Sequence, residues 1–357
     1  MAKPKLLLAT PLTGAVSGLE AVTRMTLDSP LAKRWDLLHC DTATSRDNRQ
    51  RGLLNVPGLL ALLRAGARMR TVIETEHPQA AMIQAGTGRA AFLKYAYFAR
   101  IAKRHGVRII AKFGGEGFDR WYESLAATAQ RAVRHALLWA DAILVEAACL
   151  GLQLIGIVPG DGRVRWAYLG IDHDRWKVPV RHGPMRRLLF VGHISRTKGA
   201  VDLLTALPLV QARFPNVTLQ MLGESLAREP SIAVPRTVRA EGVLSGWEKH
   251  AAFERADVFV FPSWSEGFPV AVLEAMASGL PIVCTAVGAL PAILPGACRF
   301  VAKKSPSALA EGILEVIRDP RASRWMGAEA RRRVEEQFSL SHYADGMVRA
   351  VGDLVEA

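Results

Sequence analysis

Short, mostly uncharged runs of Leu, Ile, Val and Ala alternate along the chain with longer stretches whose apolar residues recur every three to four positions. The first pattern suits a strand buried on both faces and the second a helix with one buried face, so the alternation predicts βαβ units feeding a parallel sheet. In the first half the strands fall at residues 5–9, 35–40, 80–84, 107–112 and 142–145, with helices at 59–69, 90–105 and 126–139. Residues 172–185, rich in Pro, Gly, Arg and His and without apolar periodicity, read as a connection between domains. A second series follows, with strands at 187–191, 217–221, 238–241, 258–261, 282–284 and 299–301 and helices at 201–213, 247–255, 270–278 and 306–318. Helical segments at 322–338 and 340–355 come after the last strand, and the second is expected to pack back towards the first domain. The expected architecture is α/β, with an N-terminal domain at 1–175, a linker at 176–185, a C-terminal domain at 186–339 and a returning helix within 340–357. A length of 357 residues fits two cores better than one.

Half of the residues are apolar and no segment is of low complexity, which excludes disordered and fibrous classes. The longest uncharged apolar run, 147–158, contains Gln153 and Gly156, and it falls short of the roughly 20 residues of a membrane span. Pro11 cuts the N-terminal apolar run well below the length of a secretion signal, so that run reads as the first strand. Cys40, Cys149, Cys284 and Cys298 form no C-x-x-C pair and suit a reducing cytosol. His39, His77, His105 and His135 show no metal-ligand spacing.

Charge changes the picture. Of the formal net +13, most lies in residues 1–181, which hold 26 Lys and Arg against 15 Asp and Glu, whereas the remainder holds 20 against 18. No nucleic-acid motif accompanies this excess, so nucleic acid is not expected as a partner and an anionic membrane surface is. Two segments carry that expectation. Residues 51–70 combine Leu53, Leu54, Leu59, Leu60, Leu62 and Leu63 with Arg64, Arg68 and Arg70, and residues 89–108 interleave Phe92, Tyr95, Tyr97 and Phe98 with Lys94, Arg100, Lys103 and Arg104. Such helices either lie in a headgroup layer or turn their apolar side into the core and leave the cations solvated. The expected location is cytoplasmic, peripheral on the inner face of the cytoplasmic membrane.

The chemistry concentrates in two stretches of the second half. Residues 188–199 read L-L-F-V-G-H-I-S-R-T-K-G: a buried strand, a glycine turn at Gly192 and a cationic loop entering a helix. Backbone amides near Gly192, with Arg196 and Lys198 at a helix N-terminus, suit a diphosphate, the alternative being a solvated basic loop. Residues 256–281 read A-D-V-F-V-F-P-S-W-S-E-G-F-P-V-A-V-L-E-A-M-A-S-G-L-P, a strand ending at Pro262 and a helix starting near Pro269. Glu266 sits in the intervening loop and Glu274 on the helix, both at the carboxyl edge of the sheet where open α/β folds bind ligands. Carboxylates beside a diphosphate site suit hydroxyl groups, which a nucleotide sugar offers on its ribose and its hexose. The alternatives are a helix-capping Glu266 and a solvated Glu274.

The paired glutamates with E-G-F-P resemble family 4 retaining glycosyltransferases (glycosyl transferases group 1) of the GT-B fold. Gly192 to Gly199 resembles the family's G-R-x-x-x-K-G loop, Leu222-Gly223-Glu224 its L-x-G-x-G strand end, Gly170-Ile171-Asp172 its N-G-x-D, and Gly14 to Gly18 its N-terminal glycine loop. The resemblance implies two Rossmann-like domains with parallel sheets facing across a cleft, and transfer of a sugar from a nucleotide-diphosphate sugar to a hydroxyl of a glycan or lipid-linked saccharide. It implies Lys198 and Glu266 as the catalytic pair, Lys198 neutralising the departing diphosphate, Glu266 binding a donor-sugar hydroxyl and Glu274 the ribose. Gly14, Gly18, Gly192, His193, Arg196, Gly223, Val243, Gly267, Phe268, Pro269 and Val270 complete the implied donor side. No cofactor is implied beyond the donor itself.

Three departures stand out. His193 replaces the family's Arg, residues 288–292 read G-A-L-P-A without the usual final acid, and Phe113-Gly114-Gly115-Glu116 stands where many members carry His-Gly. Gly114, Gly115 and Glu116 are therefore the acceptor-side candidates, with a plain turn as the alternative for Glu116. Asp172-His173-Asp174 offers a D-x-D pattern, but lies away from any nucleotide-like loop, and no metal is expected. Competing readings are a GT-B-type epimerase or phosphorylase and a catalytically silent donor-binding scaffold.

Overall fold

The computed structural model describes residues 2–12, 18–43, 56–179, 183–224 and 232–357. Contacts divide the chain into two compact units, Met1–Leu169 with Leu340–Ala357, and Gly170–Ser339.

In the first unit, β1 (Lys5–Thr10), β2 (Asp36–Asp41), β3 (Ala80–Ala85), β4 (Arg108–Phe113), β5 (Ala142–Val145) and β6 (Val164–Trp166) form one sheet in the order β2-β1-β3-β4-β5-β6. Every pairing is parallel. Leu6, Leu7 and Leu8 of β1 are fully buried, as a central strand covered on both faces requires. The helices are α1 (Gly18–Asp28), α2 (Leu31–Arg34), α3 (Val56–Glu76), α4 (Arg89–Arg104), α5 (Phe118–Glu123) and α6 (Ala127–Leu137). Helix α1 is invisible to apolar periodicity because threonines share its buried face: Thr23 and Thr26 donate their hydroxyls to Leu19 O and Val22 O one turn back. Strand β6, only Val-Arg-Trp, is a short edge strand that no alternation marks.

The second unit repeats the plan. Strands β7 (Arg187–Val191), β8 (Thr218–Leu222), β9 (Arg239–Ala240), β10 (Val258–Phe261), β11 (Ile282–Thr285) and β12 (Arg299–Val301) run parallel in the order β12-β11-β10-β7-β8-β9. Helices α7 (Ala200–Gln211), α8 (Gly246–Arg255), α9 (Val270–Ala277), α10 (Leu290–Ile293), α11 (Pro306–Arg318) and α12 (Pro320–Gln337) accompany them. The run from α11 to α12 is set by caps: Ser305 accepts the Ala308 amide, and Asp319, followed by Pro320, accepts the amides of Arg321 and Ala322.

Helix α13 (Leu340–Val355) belongs to the first unit. Its Tyr343 hydroxyl lies 2.7 Å from Thr26 Oγ1 of α1, and Arg108 of β4 donates to Leu354 O. The division of the chain falls at Leu169–Gly170 rather than at residue 175. Within the segment read as a linker, Trp176 meets Phe253 of the second unit edge-on at 5.0 Å and Met185 is buried, and just before it Ile171 N–H donates to Phe338 O.

The two basic segments of the first unit resolve differently. On α4, Phe92, Tyr95 and Phe98 are buried, so the expectation that this face meets a headgroup layer is overturned; the ring face is core. On α3, Leu59, Leu60 and Leu63 are exposed beside exposed Arg64, Arg68 and Arg70. Leu53 and Leu54 lie outside the described residues.

Candidate functional site

Two loops at the carboxyl edge of the second sheet are tied together by backbone. The turn after β7 is pinned to β8 by Gly192 N–H to Leu222 O at 2.9 Å and Ile194 N–H to Glu224 O at 3.0 Å. Within the turn, Ser195 Oγ accepts the Lys198 amide at 3.2 Å. At Gly199 the backbone is left-handed, with φ 72°, and a Cβ there would lie 2.0 Å from Pro262 O, so only glycine lets α7 start against the end of β10. Trp264 N–H and Ser263 Oγ then both donate to Thr197 O, at 2.8 and 3.3 Å. This stitching sets Lys198 Nζ 2.6 Å from Glu266 Oε1.

The Glu266 loop is held from its other side as well. Gly288, with φ 56°, comes so close that a Cβ would sit 2.3 Å from Glu266 O, and the Ala289 amide donates to Gly267 O at 3.0 Å. The G-A-L-P-A stretch therefore has a structural duty, while Ala292 lies exposed on α10. Trp264 anchors the loop further, its Nε1 donating to the buried Asp202 at 2.7 Å while Lys304 Nζ stands 4.7 Å from the ring centroid.

Helix α9 begins at Val270, so the Val270 and Ala271 amides have no carbonyl partner within their own helix, whereas those of Val272 and Leu273 reach Pro269 O. One turn on, Glu274 is 5% exposed. Burial raises its carboxyl above the ordinary range, and the ammonium of Lys249 on α8, 2.6 Å from Oε1, offsets part of that rise. Its second oxygen, Oε2, is buried without a hydrogen-bond partner. Lys249 was not legible in the sequence, since 25 positions separate it from Glu274 and only the fold brings them together.

Other predicted residues fall as follows. Gly14 lies outside the described residues, and Gly18 opens α1 on the surface of the first unit. Gly192 was expected to offer its amide to an anion, but that amide is committed to Leu222 O. Gly223 abuts Gly192, where a Cβ would fall 1.9 Å from Gly192 O, so its role is close packing of two strand ends. His193 is half-buried, Arg196 exposed and Val243 exposed beyond Gly242. Gly267, Phe268 and Pro269 are buried, and the Phe268 ring points inward against Phe338 at 6.0 Å.

In the first unit, Gly114 follows β4 and a Cβ on it would stand 3.0 Å from Glu146 Oε1. Gln153 donates to Gly115 O at 3.0 Å, and Glu116 is half-exposed. Beside Gly114 lies a pair the sequence did not mark, Lys112 and Glu146, both buried and 3.8 Å apart. Burial lowers the pKa of the Lys112 ammonium, and Glu146 counters this. Asp172 and Asp174 are exposed, Asp174 meeting His173 at 3.3 Å and Arg331 at 3.8 Å, and among the described residues no three His, Cys, Asp or Glu side chains converge as metal ligands. No helix among the described residues is long and apolar enough to cross a membrane.

Residues 185–319 match the family model described as Glycosyl transferases group 1. The chain is 33% identical over 191 residues to a glycogen synthase of Mycobacterium tuberculosis (strain ATCC 25618 / H37Rv), a match covering 50% of this chain and 46% of that protein. It is 30% identical over 226 residues to a D-inositol 3-phosphate glycosyltransferase of Arthrobacter sp. (strain FB24), covering 58% and 49%. The chain thus spans about half the length of these curated relatives. Among solved structures, sucrose-phosphate synthase from Thermosynechococcus elongatus superposes with a TM-score of 0.72 at 17% identity, covering 98% of both chains. Anabaena HepE in complex with UDP-glucose gives 0.74 at 15% identity, covering 98% of this chain and 100% of that one, a likeness of fold alone. The second unit thus carries the match to the group 1 glycosyltransferases, and the fold shared along the whole length is GT-B.

Proposed function

We propose that the chain is a retaining, metal-independent hexosyltransferase that moves a sugar from a nucleotide-diphosphate sugar to a hydroxyl of a glycan or lipid-linked saccharide, in the synthesis of a cell-surface polysaccharide or glycolipid. The observation that carries this reading is the convergence of Lys198, Glu266 and the start of α9 on one loop system, with Glu274 one turn along the helix. The UDP-glucose in the HepE complex supports a nucleotide-sugar donor.

In this reaction the bond from the anomeric carbon to the β-phosphate oxygen breaks and a bond to the acceptor oxygen forms on the same face of the sugar. The acceptor's proton leaves with the nucleotide diphosphate. Negative charge grows on the departing diphosphate as its bond to the sugar lengthens, and Lys198 and the free amides at the start of α9 are the groups that neutralise it. Glu266, now paired with Lys198, accepts a donor-sugar hydroxyl once the ammonium turns to phosphate. Glu274 accepts ribose hydroxyls. The acceptor is assigned to the first unit, at Gly114, Gly115 and Glu116.

Thermal stabilisation by a panel of uridine, guanosine and adenosine diphosphate sugars selects the donor, and release of nucleotide diphosphate from it without acceptor tests the activity. Binding without turnover would instead support the silent scaffold. Activity is expected to survive EDTA; complete loss restored by manganese or magnesium would revive Asp172 and Asp174 as ligands.

The same reading gives the basic first unit an anionic membrane that presents a lipid-linked acceptor. Its support is the outward face of α3, where Leu59, Leu60 and Leu63 stand exposed at 57, 46 and 49% beside Arg64 and Arg68. Each engaged cation contributes about 1 kcal/mol, so binding is reversible and screened by salt. Co-sedimentation with phosphatidylglycerol vesicles at low salt, lost at high salt and absent with phosphatidylcholine, is the expected result; no preference for the anionic vesicles defeats it.

A further inference from the structure

We infer that Lys249 is a positioning residue for the ribose: it keeps the Glu274 carboxylate charged and turned so that Oε2 accepts the ribose hydroxyls. The inference deepens the donor reading above and rests on it. Glu274 is buried on α9, where desolvation works against its charged form. A protonated carboxyl would lose acceptor capacity at the point where a diol brings donors of its own.

Lys249 Nζ engages only Oε1, at 2.6 Å. The buried Oε2 is left without a partner in the ligand-free chain, an arrangement that costs free energy and that a hydroxyl donor relieves. Lys249 is itself held in place. Its Nζ lies 5.7 Å from the Trp176 ring centroid, and that ring packs on Phe253 of the same helix α8 at 5.0 Å. Phe253, Trp176, Lys249 and Glu274 thus form one chain of contacts.

The other charged groups around α9 are engaged elsewhere. Arg331 of α12 donates to Ala277 O at the far end of the helix and pairs with Glu335 at 2.6 Å and Asp174 at 3.8 Å. His250 of α8 faces Trp176 at 5.9 Å, His173 meets Asp174 at 3.3 Å, and Lys198 is paired with Glu266. Lys249 is the cation that acts on Glu274.

The experiment is calorimetric titration of the full chain with UDP, GDP and ADP between about pH 5.5 and 8.5, continued with the diphosphate that wild type binds most tightly. Glu274→Gln is expected to weaken binding about tenfold or more throughout. Lys249→Met is expected to weaken it about tenfold near pH 6, with the penalty shrinking as pH rises. The sign follows from removing the ammonium, which lets the Glu274 pKa rise further, so that the carboxylate forms only at higher pH. Lys249→Arg keeps the charge and restores acid-side affinity.

Trp176→Leu, which loosens Lys249 without touching the ion pair, moves binding in the same direction by a smaller factor and carries the test should Lys249→Met fail to fold. If Glu274→Gln weakens binding but the Lys249 and Trp176 variants bind as wild type, or lose affinity equally at every pH, the inference is overturned and the donor reading stands. If no diphosphate binds wild type, or Glu274→Gln binds as tightly as wild type, the donor reading itself falls.

Discussion

Lys198–Glu266 and Lys249–Glu274 share a separation of 2.6 Å but are built on different ground. The first joins two loops stitched at their backbones, with the lysine side chain 27% and the Glu266 side chain 9% exposed. The second joins two helices, with the acid buried, its free oxygen unsatisfied and the lysine backed by an indole. The carboxylates are about equally covered, so the difference lies in their supports: a lysine on a turn exchanges one anion for another more readily than one held on a helix against a ring. That difference matches two demands of the proposed reaction. A departing diphosphate needs a cation that responds as charge develops, and a ribose, unchanged from ground to transition state, needs a fixed acceptor. Identical chemistry at identical distance thus separates into a responsive pair and a holding pair through its surroundings.

The most damaging single change is expected at the responsive pair. Lys198→Ala should lower kcat about 10²- to 10³-fold with little change in donor affinity. Steady-state kinetics set beside calorimetric Kd values decides this, and a loss falling wholly on Kd would erase the distinction. At the holding pair, Glu274→Ala should weaken nucleotide binding about 10- to 100-fold and leave kcat at saturating donor nearly intact.

A third acid–cation pair supplies the purely structural reference. Asp257, just before β10, binds the Arg187 guanidinium at 2.6 Å and the amides of Arg186 and Arg187 at the start of β7. Burial opposes its charge, yet the Arg187 side chain and those amides hold its pKa below the ordinary value. A lowered pKa contributes stability above the unfolded value, near 3.9, and that contribution is lost as pH falls through the folded one. Asp257→Asn should therefore cost about 1.5 kcal/mol at neutral pH, fading in acid, with nucleotide affinity unchanged. Denaturant unfolding at several pH values checks the first part. A change in affinity would show that this pair, too, serves the ligand.

Much of the fold was legible because a strand covered on both faces must be an unbroken apolar run; 187–191 and 258–261 coincide with β7 and β10 to the residue. The missed elements lacked that signature: α1 hides its buried face behind threonines, and β6 has three residues at a sheet edge. At the candidate site, Lys198, Glu266 and Glu274 were legible because glycines and prolines fix the loop geometry locally, and Gly199 and Gly288 show the close approaches that require them.

Local pattern says which residues share a face or a turn, and nothing about what comes to meet them. So the sequence by itself determined two wound parallel sheets and the loops that carry the charged groups. Tertiary structure alone decided that the Gly192 amide is taken by Leu222 and that Lys249 backs Glu274. It also decided that Phe92, Tyr95 and Phe98 turn inward while Leu59, Leu60 and Leu63 face outward, because burial depends on a partner surface distant in the chain and periodicity does not encode it.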